Sequence, residues 1–556
     1  MPYKIGNWTI DPERGLARGQ NRDIHLEPRV TELLNYLASR SGQVVSRAEL
    51  LDAVWPGVIV GDDVLTNTVA KLRRSLGDDP KSPELIQTIP KRGYRIVTAE
   101  ESPGSEKSQS EVVSVWWIAL LAVLVITVGL VLTRPWAPGM ETTPVGKEAF
   151  VLPDKPSIAV LPFDNLSDDE GQDYFVDGMT EDLITDLSRV SGLFVIARNS
   201  SFSYKGKSLD VREIGHELGV RNVIEGSVRK VGNKLRINVQ LIDTETGAHL
   251  WAERYDGDVD GLFMFQDQII EKIVSALSVE MTGIEKDYAA FQETHKHSAY
   301  EAFLKGWALY RTGTPEGFAG AIVHFEKAVE EDPAYGRALA ALSSIYWESY
   351  HKRWYRRLGV SPLSLAWQRA NEYLEKSMVA PTPLAHKIAS AMLVTNRRYD
   401  EAISEAERAI AIDSNDPLGY VALAEALIFT GSAEQAESLI QKAIRLDPQD
   451  PATYLAVLGK SQLIQGKFGD ASLSLKRATQ RNPDNRLAWM ALISAYGLLG
   501  KTEEAGSAIR MLNNLQRRDK LVSFTVANAR EHWPFKSKAD QEQFLEGLRK
   551  AGVPKW

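Results

Sequence analysis

The chain has 556 residues, 44% hydrophobic and 25% charged, with 65 Lys/Arg against 73 Asp/Glu and a formal net charge of −8. That length calls for several domains, and the hydrophobic share excludes a largely disordered chain. The absence of cysteine excludes disulfide bracing, a thiol nucleophile and a cysteine-ligated zinc site, while the acidic total excludes a uniformly basic nucleic-acid coat.

Local charge departs from the total. Residues 1–111 carry 15 Lys/Arg and 16 Asp/Glu, yet within 64–95 seven basic residues face three acidic ones. A local basic surface governs phosphate contact more than the whole-chain balance does. Residues 3–10 and 24–26 have strand character. Residues 29–38 place Val30, Leu33, Leu34 and Leu37 at helical spacing. Ser46, with Glu49 three positions on, is spaced as a capping box for a short helix to Val54. Asp62 or Asp63 caps a third helix that runs to about Leu76, before Gly77.

On this third helix Leu65, Val69, Leu72 and Leu76 share one side, while Thr66, Asn67, Ala70, Lys71, Arg73 and Arg74 are expected on the other. Small polar and basic residues on an exposed helix suit the major groove, where Asn and Arg read base edges and Lys meets phosphate. A hairpin is expected over 85–97, with Pro90-Lys91-Arg92-Gly93 at its tip.

The segments LEPRVTELLNYLASRSGQVVSRAELLDAVW, DDVLTNTVAKLRRSLGDDP and LIQTIPKRGYRI resemble the OmpR/PhoB-type winged helix-turn-helix over about 95 residues. The resemblance implies a four-stranded N-terminal sheet, a three-helix core, residues 64–76 as recognition helix and 88–95 as wing. The DNA-binding residues it implies are Thr66, Asn67, Lys71, Arg73, Arg74, Lys91, Arg92, Tyr94 and Arg95, with Asn67, Lys71 and Arg74 foremost. Regulators of this type usually carry a receiver domain ahead of the winged helix. None precedes it here, so control is expected to enter from the other direction.

That direction leads through a Ser/Glu/Gly linker at 101–111 into VVSVWWIALLAVLVITVGLVLT at 112–133, bracketed by Glu111 and Arg134. As a helix this run reaches ~33 Å, enough for a hydrocarbon core. A Trp pair near one end and Trp136 beyond the other suit the interfaces. The arrangement resembles the CadC/ToxR class of membrane-bound one-component activators. It implies an inner-membrane, single-pass bacterial protein with the N-terminal domain cytoplasmic and the C-terminal region beyond the span periplasmic.

After a Pro/Gly/Thr-rich linker at 134–154, an α/β module is expected over 155–285. Its strands are 157–161, 194–197, 223–230, 235–241 and 249–255, and its helices 173–190, 211–218 and 262–281. Gly232-Asn233 is expected to supply the positive φ angles of a tight hairpin. IAVLPFDNLSDDEGQDYFVDGMTEDL, NVIEGSVRK and GAHLWAERYD resemble the TolB-amino-terminal-like (FlgO-like) module, which also occurs fused to nucleotide cyclases carrying helical repeats.

Residues 298–515 repeat. Ala402, Ala436, Ala471 and Ala505 are separated by 34, 35 and 34 positions, and Gly431, Gly466 and Gly500 keep step. This resembles the tetratricopeptide repeat. Ala321, Phe325, Ala328 and Pro333 form an earlier copy, and the longer step from Ala321 to Ala402 predicts an insertion within 347–367. Residues 516–556 form a helical tail resembling the end of cyclase-linked repeat proteins. The fold class expected is thus multidomain α+β: winged helix-turn-helix, single transmembrane helix, TolB-N-like α/β module and all-α tetratricopeptide superhelix.

Catalysis finds no support in the residues. His216-Glu217 begins a zincin motif, but Val220 stands where the second ligand belongs. His295-x-His297 and the cluster Asp164, Asp168, Asp169 and Glu170 read as surface features. No catalytic residue, metal or cofactor is expected. The function expected is a membrane-anchored transcriptional regulator binding double-stranded DNA as a homodimer. RNA polymerase is a further partner, and an unidentified peptide, protein or small-molecule signal acts at the α/β-plus-repeat region. The alternative is a membrane-tethered scaffold whose repeats recruit envelope partners.

Overall fold

The computed structural model describes residues 3–5, 8–12, 14–19, 23–40, 42–54, 62–76, 78, 85–89, 93–96, 152–167, 169–207, 209–283, 285, 293–449 and 452–556. The apolar run 112–133 lies outside the described residues. Among the described residues no helix is long and apolar enough to cross a membrane. The chain divides into two compact units, 1–141 and 142–556.

In the first unit, β1 (Tyr3–Ile5), β2 (Trp8–Asp11), β3 (Leu16–Arg18) and β4 (Asp23–His25) form an antiparallel sheet in chain order. Three helices follow: α1 (Pro28–Ser39), α2 (Arg47–Val54) and α3 (Asp62–Leu76). The hairpin of β5 (Ile86–Ile89) and β6 (Gly93–Ile96) closes the unit. Alternation along β2 buries Trp8 and Ile10. The helical spacing of α1 buries Val30, Leu33, Leu34 and Leu37 in one core with Leu65, Val69 and Leu72 of α3. The Trp8 indole donates to the Leu76 carbonyl at 3.2 Å and fixes the sheet to the end of α3. Ser46 caps α2 through the Glu49 amide at 3.2 Å. The Glu49 carboxylate does not complete the expected box in the usual way; it accepts from Tyr36 at 3.0 Å and pairs with Arg40 at 3.3 Å.

In the second unit, β7 (Ser157–Val160), β8 (Asp164–Asn165), β9 (Phe194–Val195), β10 (Asn222–Val231), β11 (Lys234–Asp243) and β12 (His249–Asp258) form one mixed sheet. Its order is β12-β11-β10-β7-β9, with β8 paired to β10 off this path. Pairing is antiparallel within β10–β12 and parallel around β7. The helices Asp173–Ser188 and Leu262–Ala276 press Phe175, Met179, Leu183, Ile269 and Ile273 onto the sheet. The helix Val211–Leu218 packs Ile214 and Leu218 with Ala159 and Val223. Three details differ from the sequence reading. The last of these long helices ends at Ala276 rather than at 281. The short elements Asp164–Asn165 and Arg198–Phe202 lacked any periodic signal because two to five residues cannot show one. In the hairpin turn Gly232 alone has positive φ, at +59°, while Asn233 does not.

Helical pairs fill the remainder. Ala402, Ala436, Ala471 and Ala505 are all fully buried where the helices of neighbouring pairs meet. Gly431, Gly466 and Gly500 adopt φ of +93°, +78° and +71° at the turns inside the pairs, a region that side chains disfavour. The expected insertion is the stretch 352–362, between helices Gly336–His351 and Leu363–Ser377. The tail supplies Lys538–Lys550, which crosses Arg486–Leu498 so closely that a Cβ on Gly497 would lie 1.9 Å from the Gly547 carbonyl.

Module and repeats share a core that runs without a break from Ile158 to Met392. The turns between pairs grip the module through residues at matching repeat positions. Asp413 accepts from Ser188 Oγ at 2.6 Å, and Asp447 accepts from Ser200 Oγ. The outward amides of the edge strand β9 and its continuation are also taken: Val195 N–H donates to Asn415 at 3.2 Å, and Ala197 N–H to the Leu446 carbonyl at 2.8 Å.

Candidate DNA-binding surface

Among the described side chains, the third helix follows its pattern with one change. Leu65, Val69, Leu72 and Leu76 are buried, and Ala70, Lys71 and Arg74 are exposed. Arg73 is not on the exposed side. It is 9% exposed, and its guanidinium donates to the Ile86 carbonyl at 2.7 Å and to Thr88 Oγ1 at 2.9 Å, with Asp78 at 3.7 Å. Asp78 in turn accepts from the amides of Leu85 and Ile86 at 2.9 and 3.1 Å. A buried guanidinium and a buried carboxylate thus tie the end of α3 to the first strand of the wing. Arg73 is a positioning residue. It turns inward because the carbonyl of β5 and the Asp78 carboxylate both need a donor there.

Tyr94 also departs from the expectation. It alternates inward with Ile96 and is 3% exposed, paired across the isolated bridge to Val45. Its hydroxyl accepts from Arg47 Nη2 at 3.1 Å, and the Arg47 guanidinium lies 5.5 Å from its ring centroid. Arg95 points to the opposite side of β6 and donates to Gln87 at 2.7 Å across the hairpin. Lys71 pairs with Glu27 at 3.0 Å; both are about half exposed or more, so the pair is weak and readily exchanged for a phosphate. The side chains of Thr66 and Asn67, and Lys91 and Arg92 altogether, lie outside the described residues. Asp78 and Arg47 escaped the sequence reading. The LRRxLGDD signature held the first of them, since its Arg and Asp stand at the two ends of this brace.

These features match known families part by part. A model described as "Transcriptional regulatory protein, C terminal" matches residues 20–96. The second domain of HilA/YgeH-like transcriptional regulators matches 154–274, and tetratricopeptide repeat models match 393–460 and 457–512. The "Transcriptional activator CadC" of Escherichia coli is 42% identical over 95 residues, which are 17% of this chain and 19% of that protein. Part by part, the chain resembles CadC-like transcriptional regulators and tetratricopeptide repeat proteins. The "Cholera toxin transcriptional activator" of Vibrio cholerae is 37% identical over 107 residues, 19% of this chain and 35% of that protein. "Putative adenylate cyclase 3" of Rhizobium meliloti is 44% identical over 253 residues, 45% of this chain and 42% of that protein. The chain spans less than half the length of each of these curated relatives.

A second charged cluster lies where module meets repeats. Arg337 donates to Asp182 at 2.6 Å and pairs with Glu293 at 2.8 Å. Arg189 reaches Glu293 at 3.2 Å and Asp186 at 3.3 Å, and Tyr300 donates to Asp182 at 2.5 Å. Three carboxylates thus share two guanidiniums. Burial pushes the Asp186 carboxyl up to about 7 against the pull of Arg189. Burial and the neighbouring Asp416 raise Asp413 to about 6. Both exceed the ordinary carboxyl value, so the folded unit holds more protons than the unfolded chain between about pH 4 and pH 7. Their contribution is fully present below pH 4 and is lost as pH rises through 6 to 7. Burial lowers His297, His324 and His351 and so pulls the other way, which leaves the contribution of one carboxyl as the testable quantity: Asp186→Asn is expected to make the urea midpoint of 142–556 gain less, or lose more, than wild type between pH 7.5 and pH 5. The same pH slope in wild type and Asp186→Asn contradicts the assignment.

Proposed function

We propose that the regulator is anchored in a bacterial inner membrane by residues 112–133 and reads double-stranded DNA on the cytoplasmic side with α3 and the wing. The unit 142–556 lies outside the cytoplasm and receives the signal. Two copies bind adjacent half-sites, because one winged helix neutralises few phosphates and linking two raises occupancy through effective concentration. RNA polymerase is the further partner engaged once the pair is on DNA. No cofactor takes part, and the chain acts as a binding protein rather than an enzyme.

The observation that carries this reading is the Arg73–Asp78 brace. It fixes the wing against α3 and leaves Lys71 and Arg74 facing solvent on the same helix. Arg74 is assigned to a base edge or phosphate, and Lys71, Asn67, Thr66, Lys91, Arg92 and Arg95 are assigned to the same DNA contact. In a mobility-shift assay of residues 1–105 against DNA upstream of neighbouring genes, Arg74→Ala is expected to cost ~1–3 kcal/mol of binding. Binding should also weaken steeply with salt. Unchanged affinity removes the assignment. Reporter fusions at residues 105 and 300 are expected in different compartments; a shared compartment removes the anchor.

A further inference from the structure

We propose that the edge strand β12 is the surface through which two copies of this chain join, antiparallel, into one continuous sheet. The proposal rests on the reading of the chain as a regulator that acts in pairs.

The two edges of the sheet are treated differently. At β9 the outward amides are taken by Asn415 and the Leu446 carbonyl. At β12 a ten-residue strand ends the sheet, and among the described residues no strand pairs beyond it. Leu250 is 50% exposed, and Ala252, Arg254, Asp256 and Asp258 are all exposed. A long edge without proline or a protecting bulge in its outer half is a template for another strand.

The hairpin fixes which backbone groups face outward. A two-residue turn makes Val231 and Lys234 a hydrogen-bonded pair, and bonding then alternates along β11. Leu235, Ile237 and Val239 consequently bond to Gly257, Tyr255 and Glu253. The amides and carbonyls of Ala252, Arg254, Asp256 and Asp258 are left pointing away from the sheet.

Charge selects the register. A two-fold axis between identical antiparallel strands places one residue opposite its own copy. Centring on Glu253, Arg254 or Asp256 sets like charges face to face, which is destabilising. Centring on Tyr255 sets Arg254 opposite Asp256 of the second copy, twice, and Ala252 opposite Asp258, twice. Within one copy Arg236 holds Asp256 at 2.5 Å from the inner side and Arg254 reaches the same carboxylate at 2.9 Å along the edge, a half-exposed pair that is readily exchanged for the equivalent one across the junction. In this register charges of alternating sign cross the junction in the row Arg236, Asp256, Arg254 of the second copy.

The test uses the full chain in membranes. Because the protein has no cysteine, engineered pairs report without background. Opposed residues of a bonded pair lie about 5.5 Å apart at Cα, within disulfide range. The double variant Ala252→Cys/Asp258→Cys is expected to give a covalent dimer on mild oxidation. Either single variant is expected to give none, since each residue is far from its own copy in this register. Adding Arg254→Glu, which opposes Asp256 with like charge, is expected to abolish the dimer. Arg254→Pro, which removes an outward amide that β11 does not use, is expected to do the same. Protease resistance of 142–556 confirms that these variants remain folded. No dimer from the double variant, or an equal one from Ala252→Cys alone, overturns the proposal. Residues 1–105 are read separately: lost cross-linking with intact DNA binding removes only the edge pairing, whereas failure of 1–105 to bind DNA removes the regulatory reading.

Discussion

Replacing Arg337 by Met is expected to destabilise the unit 142–556 by about 3–5 kcal/mol, the cost of leaving buried carboxylates without their cation. Asp182 and Glu293 are 11% and 15% exposed and both pair with this guanidinium, which is the cation held by Asp182, while Glu293 is also reached by Arg189. The same guanidinium lies 4.5 Å from the centroid of the Phe303 ring, so packing is lost as well. Because Arg337 begins the second helical pair while Asp182 belongs to the α/β module, the defect should loosen module and repeats together. Urea denaturation of wild type and Arg337→Met checks this. Asp182→Asn combined with Arg337→Met should recover part of the loss, since one orphaned charge is then neutral. A single variant within about 1 kcal/mol of wild type contradicts the cluster's role.

The second large effect is expected at Gly93. Its φ of +142° is rarely adopted by side-chain-bearing residues, and a Cβ there would lie 1.9 Å from the Val45 carbonyl oxygen. That carbonyl accepts from Tyr94 N–H at 3.0 Å, while Val45 N–H donates to Tyr94 at 2.9 Å. Gly93→Ala must therefore separate the wing from the strand-like stretch before α2 or force the backbone to a new conformation. A cost of at least ~3 kcal/mol is expected from backbone strain and two lost hydrogen bonds. In a domain of about 100 residues that lowers the melting temperature by roughly 10 °C or more. Thermal unfolding of residues 1–105 measures it. DNA binding near 37 °C should fall with the folded fraction, whereas Arg74→Ala should weaken binding without moving the melting point.

The contrast between Arg73 and Arg74 shows where reading the chain reaches its limit. Both are arginines on one helix, one position apart, and the pattern of leucines places each beyond the apolar stripe. Arg73 borders that stripe closely enough for a long side chain to fold over it toward β5, while Arg74 faces solvent. Only the approach of the hairpin, which brings the Ile86 carbonyl and Asp78 into reach, separates the two roles. Tyr94 is similar. Its place in TIPKRGYR marks a family, but the pleat of β6 and the bridge to Val45 turn it into the core.

Sequence alone determined the features that repeat or that use strong local chemistry. The 34-residue step of small residues set the helical pairs and located the insertion, because helices can pack closely only where Ala or Gly recurs. The period-2 and period-3.6 patterns set the main helices of the first unit and the long strands and helices of the α/β module, the four-stranded first sheet came from the family resemblance, and the uncharged run at 112–133 set the expectation of an anchor. Tertiary structure decided the contacts between segments remote in the chain. The brace from Arg73 to Asp78 and β5, the grip of Asp413 and Asp447 on the module, and the shared core from Ile158 to Met392 are of this kind. So is the difference between the covered edge at β9 and the open one at β12. Such contacts depend on where two distant backbones meet, and no spacing within either one encodes that distance.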